Sequence, residues 1–156
     1  MSVNISNLET QPFLKGMNSR HLELLVENSL PSEFHAGDRI LTEGGTANRF
    51  YLILEGRVEV ESPAQDGEPV SIQTLGPGDM LGCSWLFPPY CWRFDARAVT
   101  PTKALCFYGT RLRKLCEENH DLGYELMKRV SEVLVQRLQA VRLKLADRNK
   151  SLQYSE

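Results

Sequence analysis

The chain has 156 residues, of which 42% are hydrophobic and 24% charged, with a formal net charge of −2. That composition describes one globular domain able to bury a sizeable core without staples. It excludes the dense basic surface that supplies most non-specific affinity for nucleic acid.

The opening, from Met1 to Asn7, carries neither the cationic nor the apolar block of a secretory signal. No apolar run approaches the roughly 18 residues of a membrane span. Residues 12–30 read as a helix, with Leu22, Leu25 and Val26 at helical spacing and Asn18 or Ser19 at its start. From Phe34 the period changes to two. His35-Ala36-Gly37-Asp38 is a turn, Arg39 to Glu43 a short strand, and Gly44-Gly45 a second turn. Arg49–Leu54 and Arg57–Val60 form a hairpin about Gly56. Gln65-Asp66-Gly67 is another hairpin loop, and Val70, Ile72 and Thr74 alternate with polar residues. Phe94–Thr100 and Lys103–Tyr108 pair around Thr100-Pro101-Thr102. About eight short strands with glycine turns every eight to twelve residues imply a mainly β domain with flanking helices. The expected form is a β-sandwich or jelly-roll barrel, the double-stranded β-helix, over about 31–109.

Between the last strands lies the most informative stretch, Leu75 to Val99. Gly76 and Gly78 flank Pro77 in a tight turn. A short apolar step leads to Gly82, then a small polar segment, the Pro88-Pro89 stop and Arg93. Glycine lets backbone N–H groups approach a ligand, a turn of helix aims amides at it, and a guanidinium adds the charge, so this is a candidate anion pocket.

Helices are expected over about 110–149. Arg111–Glu118 is the first. From His120 to about Asp147 there is no proline and only Gly123. Tyr124, Met127, Leu134, Leu138, Val141 and Leu145 follow a heptad seam, with Ser131 its one polar position, while Val130, Val133 and Val135 lie off it. A helix with two apolar surfaces needs two partners. One is the β domain; the other is most simply a second copy, which makes the chain a homodimer. A single wide stripe packed on one domain is the competing reading. Ser151–Glu156 reads as frayed.

This order, with its particular residues, resembles the cyclic nucleotide-binding domain family. The resemblance is carried by Pro12-Phe13-Leu14 before a Leu-rich helix, by Ala36-Gly37-Asp38 with Ile40, and by Glu43-Gly44. It continues through Tyr51 to Val60, Leu75-Gly76-Pro77-Gly78-Asp79 and Leu81-Gly82, and spans about Pro12 to Arg142. It implies a small-molecule-sensing regulatory module that takes a cyclic nucleotide or another small anion in a phosphate-binding cassette. The family cassette usually carries a glutamate for the ribose hydroxyl and an arginine for the cyclic phosphate.

This cassette departs from that pattern. Cys83 stands where the glutamate is expected, and a thiol is a weak hydrogen-bond partner. Trp85 replaces a small residue, and Pro88-Pro89 falls early. Arg93 is the nearest match to the phosphate arginine, whereas counting back from Ala98-Val99 places Trp92 there. Asp95, if it faces inward, opposes an anion. The expected ligand-binding set is Gly82, Cys83, Ser84, Trp85, Arg93, Phe94 and Arg97. Against it stand blander roles: Arg93 as a solvated loop residue, Arg97 paired with an acidic neighbour across the sheet, Trp85 as packing and Cys83 as filler.

Enzyme classes find no support. His21, His35 and His120 are far apart, and there is no Gly-x-Ser-x-Gly, His-Glu-x-x-His or Walker-type loop, so neither catalytic residues nor a metal or other cofactor is expected. No helix-turn-helix follows the long helix, so direct DNA binding is not expected. The competing function is a degenerate, ligand-free dimeric scaffold.

Overall fold

A computed structural model describes Leu8, residues 11–63 and residues 67–154, with side chains up to 148. The segment before Leu8, residues 65 and 66 of the Gln65 loop, and Ser155-Glu156 lie outside the described residues. Among the described residues eight strands form two four-stranded antiparallel sheets. They are β1 (Ser29–Phe34), β2 (Arg39–Leu41), β3 (Arg49–Glu55), β4 (Val58–Ser62), β5 (Val70–Leu75), β6 (Met80–Leu81), β7 (Asp95–Ala98) and β8 (Thr102–Tyr108). One sheet has the order β1-β8-β3-β6 and the other β2-β7-β4-β5. The sheets face each other as a jelly-roll sandwich rather than closing into a barrel. Among the described residues three helices flank them: α1 (Ser19–Glu27), α2 (Gly109–Glu118) and α3 (His120–Tyr154).

The first sheet is covered on both faces. Alternate residues of β3 and β8 therefore serve two cores, which is why both strands read as unbroken apolar runs. Tyr51, Ile53, Ala104 and Cys106 pack between the sheets with Val58, Val60 and Leu81. Phe50, Leu52, Leu105 and Phe107 point the other way, against Leu22 and Leu25 of α1, Leu112 of α2, and Leu122, Leu126 and Val130 of α3. Phe50 stacks on Phe107, with ring centroids 4.6 Å apart. Gly56 has φ +102°, and a Cβ there would lie 2.6 Å from the Pro101 carbonyl oxygen, so the β3–β4 turn needs glycine.

Three boundaries differ from the sequence expectation. The first helix is shorter, starting at Ser19 with the Asn18 side chain accepting from the Arg20 N–H at 2.7 Å. Ser29–Phe34, expected partly as helix, is a strand paired with β8. Pro31 hides it from a propensity reading, yet β1 is an edge strand, where a missing N–H is tolerated. The last helix continues through Tyr154, past the expected frayed start at Ser151.

Helix α3 has two different faces. Val130 is buried against the first sheet and Val133 packs partly on it, while Ala140 and Val141 reach the core between the sheets. Along the heptad seam, Tyr124, Met127, Leu134, Leu138 and Leu145 remain exposed, as does the off-seam Val135. Ser131 satisfies its hydroxyl locally by donating to the Met127 carbonyl at 2.8 Å. No described helix is long and apolar enough to cross a membrane.

Candidate functional site

A cavity of about 340 Å³ opens where the cassette, the second sheet and α3 meet. Leu41, Val60 and Ala96 form its sheet wall, and Leu81 to Ser84 with Phe87 and Cys91 form the cassette wall. Arg93, Phe94 and Asp95 line the β7 side, and Leu134, Arg137, Leu138 and Val141 close it from the helix. A volume of this size lies at the small end of ordinary ligand pockets.

The cassette is built around Gly82. Its φ of +89° belongs to glycine, and a Cβ there would lie 2.9 Å from the Trp92 ring. The chain then makes a single 3-10 turn, Ser84–Leu86, and Tyr90 takes φ 55°. The Gly44-Gly45 turn and Trp92 exchange backbone hydrogen bonds, the N–H of Trp92 donating to the Gly45 carbonyl and the N–H of Gly44 to the Trp92 carbonyl. This pins Trp92 into the core under Gly82, and leaves Arg93, the next residue, at the cavity. Of the two residues that the sequence offered for the phosphate-arginine position, Arg93 lines the cavity and Trp92 is buried.

Of the seven expected ligand residues, the structure brings five to the cavity: Gly82, Cys83, Ser84, Arg93 and Phe94. Two do not line it. Trp85 is 0% exposed, stacked on Phe50 at 5.4 Å on the opposite side of the first sheet. Its backbone carbonyl accepts from the Arg113 guanidinium, which also lies 4.5 Å from the Tyr90 ring centroid and ties the cassette to α2. Trp85 is therefore a packing anchor and takes no space from a ligand. Arg97 points to the outer face, where its Nε donates to Glu61 at 3.0 Å. The cross-strand acidic pairing holds for it, and it does not line the cavity.

Asp95 is buried, but on the same face of β7 as Arg97, and its charge is engaged. One carboxylate oxygen accepts from the Glu43 N–H at 2.8 Å and the other from Arg39 at 3.2 Å. Cys83 is buried at the cavity wall. Burial pushes its thiol above the ordinary range, and the nearby Arg137 charge offsets this only in part. It presents a neutral, weakly polar group where a carboxylate was expected.

Arg137 is the residue that sequence reading missed. It sits on α3, is only 7% exposed, and lines the cavity. Its Nε donates to the Gln73 side chain on β5 at 3.2 Å, and its guanidinium lies 5.8 Å from the Phe94 ring centroid. Nη2 is buried without a hydrogen-bond partner. Burial pulls its pKa down from the usual arginine value. An arginine among apolar helix positions reads by default as a solvated side chain. Its interruption of the Val130–Val133–Val141 stripe was the available signal.

The comparisons with known proteins agree with this fold. The model of the cyclic nucleotide-binding domain matches residues 31–119. The CRP-like cAMP-activated global transcriptional regulator of Mycobacterium tuberculosis is 26% identical over 133 residues, which is 85% of this chain and 58% of that protein. The chain thus spans less than two thirds of that relative. A solved Geobacter metallireducens structure, named as a cyclic nucleotide-binding protein, has TM-score 0.77 at 29% identity and covers 87% of this chain and 98% of its own. The regulatory subunit of a cAMP-independent protein kinase A from Trypanosoma cruzi, solved bound to guanosine, has TM-score 0.64 at 28% identity over 74% of this chain and 40% of its own. With more than half of its length matched, the chain belongs to the cyclic nucleotide-binding domain family.

Proposed function

We propose that the chain is a ligand-sensing regulatory module, not an enzyme, whose ligand is a nucleotide or other small anion held in the cavity between cassette and α3. The observation that carries this is the partnerless Nη2 of the buried Arg137 beside Gly82–Ser84 and Arg93. A buried donor on a charged group is costly when unpaired, and an anion in the cavity relieves that cost. Because Arg137 and Leu138 belong to α3 while Gly82–Ser84 belong to the cassette, occupancy links the long helix to the β domain. Cyclic AMP and cyclic GMP are poor occupants, since Cys83 offers the ribose hydroxyl no carboxylate. Among relatives, the trypanosomal subunit solved with guanosine supports a departure from cyclic AMP.

The module pairs with a second copy through α3. The exposed apolar positions keep heptad spacing from Tyr124 to Leu145, and a repeat of this kind is self-complementary. Direct DNA binding is not part of this reading, given a net charge of −2. Four free thiols suit a reducing, cytoplasmic setting.

The test is a thermal-shift and titration-calorimetry screen of cyclic mononucleotides, cyclic dinucleotides, guanosine and small organic anions. A ligand at 100 times its dissociation constant adds about 2.7 kcal/mol of stability. Binding that disappears in Arg137→Met supports the reading. A screen in which no compound shifts the protein favours a ligand-free dimeric scaffold instead.

A further inference from the structure

The identity of the ligand is constrained by what the cavity lacks. Its walls at Leu41, Val60, Leu81, Phe94, Leu138 and Val141 are apolar. The neutral polar side chains facing it are one hydroxyl, Ser84, and two thiols, Cys83 and Cys91. Among the described residues its charged groups are three. Asp95 is held by Arg39 and the Glu43 N–H. Arg93 is exposed, so its charge is shared with water. Arg137 is buried, anchored through Nε to Gln73, and leaves Nη2 unpaired.

A sugar brings several hydroxyls that must each find a partner, and polar groups buried without one are costly. Thiols make poor partners for them. An apolar body meets the walls without that penalty. Inorganic phosphate would satisfy a guanidinium but leave the apolar walls uncovered. A carboxylate accepts from the planar guanidinium fork and leaves the remainder of the ligand free to be hydrocarbon.

We propose that the cavity takes a compact organic carboxylate with an aromatic or aliphatic body, its carboxylate paired with Arg137 and its body against Val60, Leu81 and Phe94. This rests on the reading of the cavity as the ligand site and names the ligand class. Arg137 is then the charged contact that discriminates between ligands, and Arg93 at the exposed rim contributes little beyond attraction.

The experiment is calorimetric titration of the full chain with indole-3-acetate, phenylacetate and octanoate, each beside its neutral amide, and with cyclic AMP and guanosine. At least one acid is expected to bind about tenfold or more tightly than its amide, as loss of a charge-assisted hydrogen bond requires. Arg137→Met should abolish that preference while near-ultraviolet circular dichroism of Trp85 and Trp92 stays native. Arg137→Lys, which keeps charge without the fork, should retain part of it. Arg93→Ala should change acid affinity by no more than about threefold, as for a solvated charge. Equal binding of acid and amide overturns the proposal. So does binding of cyclic AMP or guanosine with none of the three acids, although the cavity then remains the ligand site. If neither class binds, both the ligand class and the sensing function fall together.

Discussion

Replacing Arg137 by methionine should make the ligand-free protein more stable, because its buried guanidinium leaves Nη2 unpaired. The guanidinium is buried and its Nη2 has no partner. An unsatisfied buried donor on a charged group costs about 1–3 kcal/mol or more. Methionine gives up the bond to Gln73, but that side chain is half-exposed and can turn to water, a net loss of about 1 kcal/mol. It also gives up the guanidinium contact with Phe94, about 0.5–1 kcal/mol. Against these losses it keeps an apolar stem and adds buried thioether and methyl surface, worth about 1–2 kcal/mol. The balance favours the variant by about 1–2 kcal/mol, in the direction seen when buried ionic groups are replaced by apolar residues of similar volume. For a chain of this size that raises Tm by about 2–8 °C. Urea unfolding and calorimetry in a buffer free of organic anions provide the measurement. If Arg137→Met instead loses 1 kcal/mol or more, the guanidinium is satisfied in the folded protein and the orphan-donor reasoning is wrong.

Gly82→Ala should lose about 2–4 kcal/mol, from the left-handed backbone and from the Cβ meeting the Trp92 ring; chemical denaturation showing a loss below 1 kcal/mol would mean that the cassette yields. Tyr124→Glu with Leu145→Glu, both outside the cavity, should leave the β domain folded and shift light scattering to monomer; wild-type protein that is already monomeric at high micromolar concentration removes the dimer. Cys91, half-exposed with its thiol 3.6 Å from the Pro89 carbonyl oxygen, should react first with a thiol reagent, and buried Cys83 and Cys106 last, as read by peptide mapping of timed aliquots. Burial raises the pKa of Cys83, Cys106, Cys116 and Tyr51. The folded state therefore holds these protons more tightly than the unfolded chain. Their stabilising effect is complete below the ordinary thiol range near pH 8.5 and is lost as pH rises through the raised values. Urea midpoints should fall between pH 8.5 and 10.5 and stay level from pH 7 to 8; a flat profile across the whole range contradicts the burial.

The sequence by itself determined the strands that feed two cores, because Phe50 to Ile53 and Ala104 to Phe107 are apolar at every position. It determined the cassette glycine and the long helix with its heptad seam, since turn chemistry and helical period are local properties. It did not reveal β1, because Pro31 lowers strand propensity and only the fold places that segment at a sheet edge. The site divided in the same way. Gly82 to Ser84 and Arg93 follow from local order along the cassette. Trp85 and Trp92 are both buried, and nothing local says which sheet face each one occupies. Arg97 reaches Glu61 diagonally across β4, where Glu59 is its direct partner. Arg137 joined the cavity only when α3 folded back across the second sheet and brought its guanidinium to Gln73 and Phe94. Burial and pairing of a charge depend on what packs over it, and for Arg137 that partner is distant in sequence.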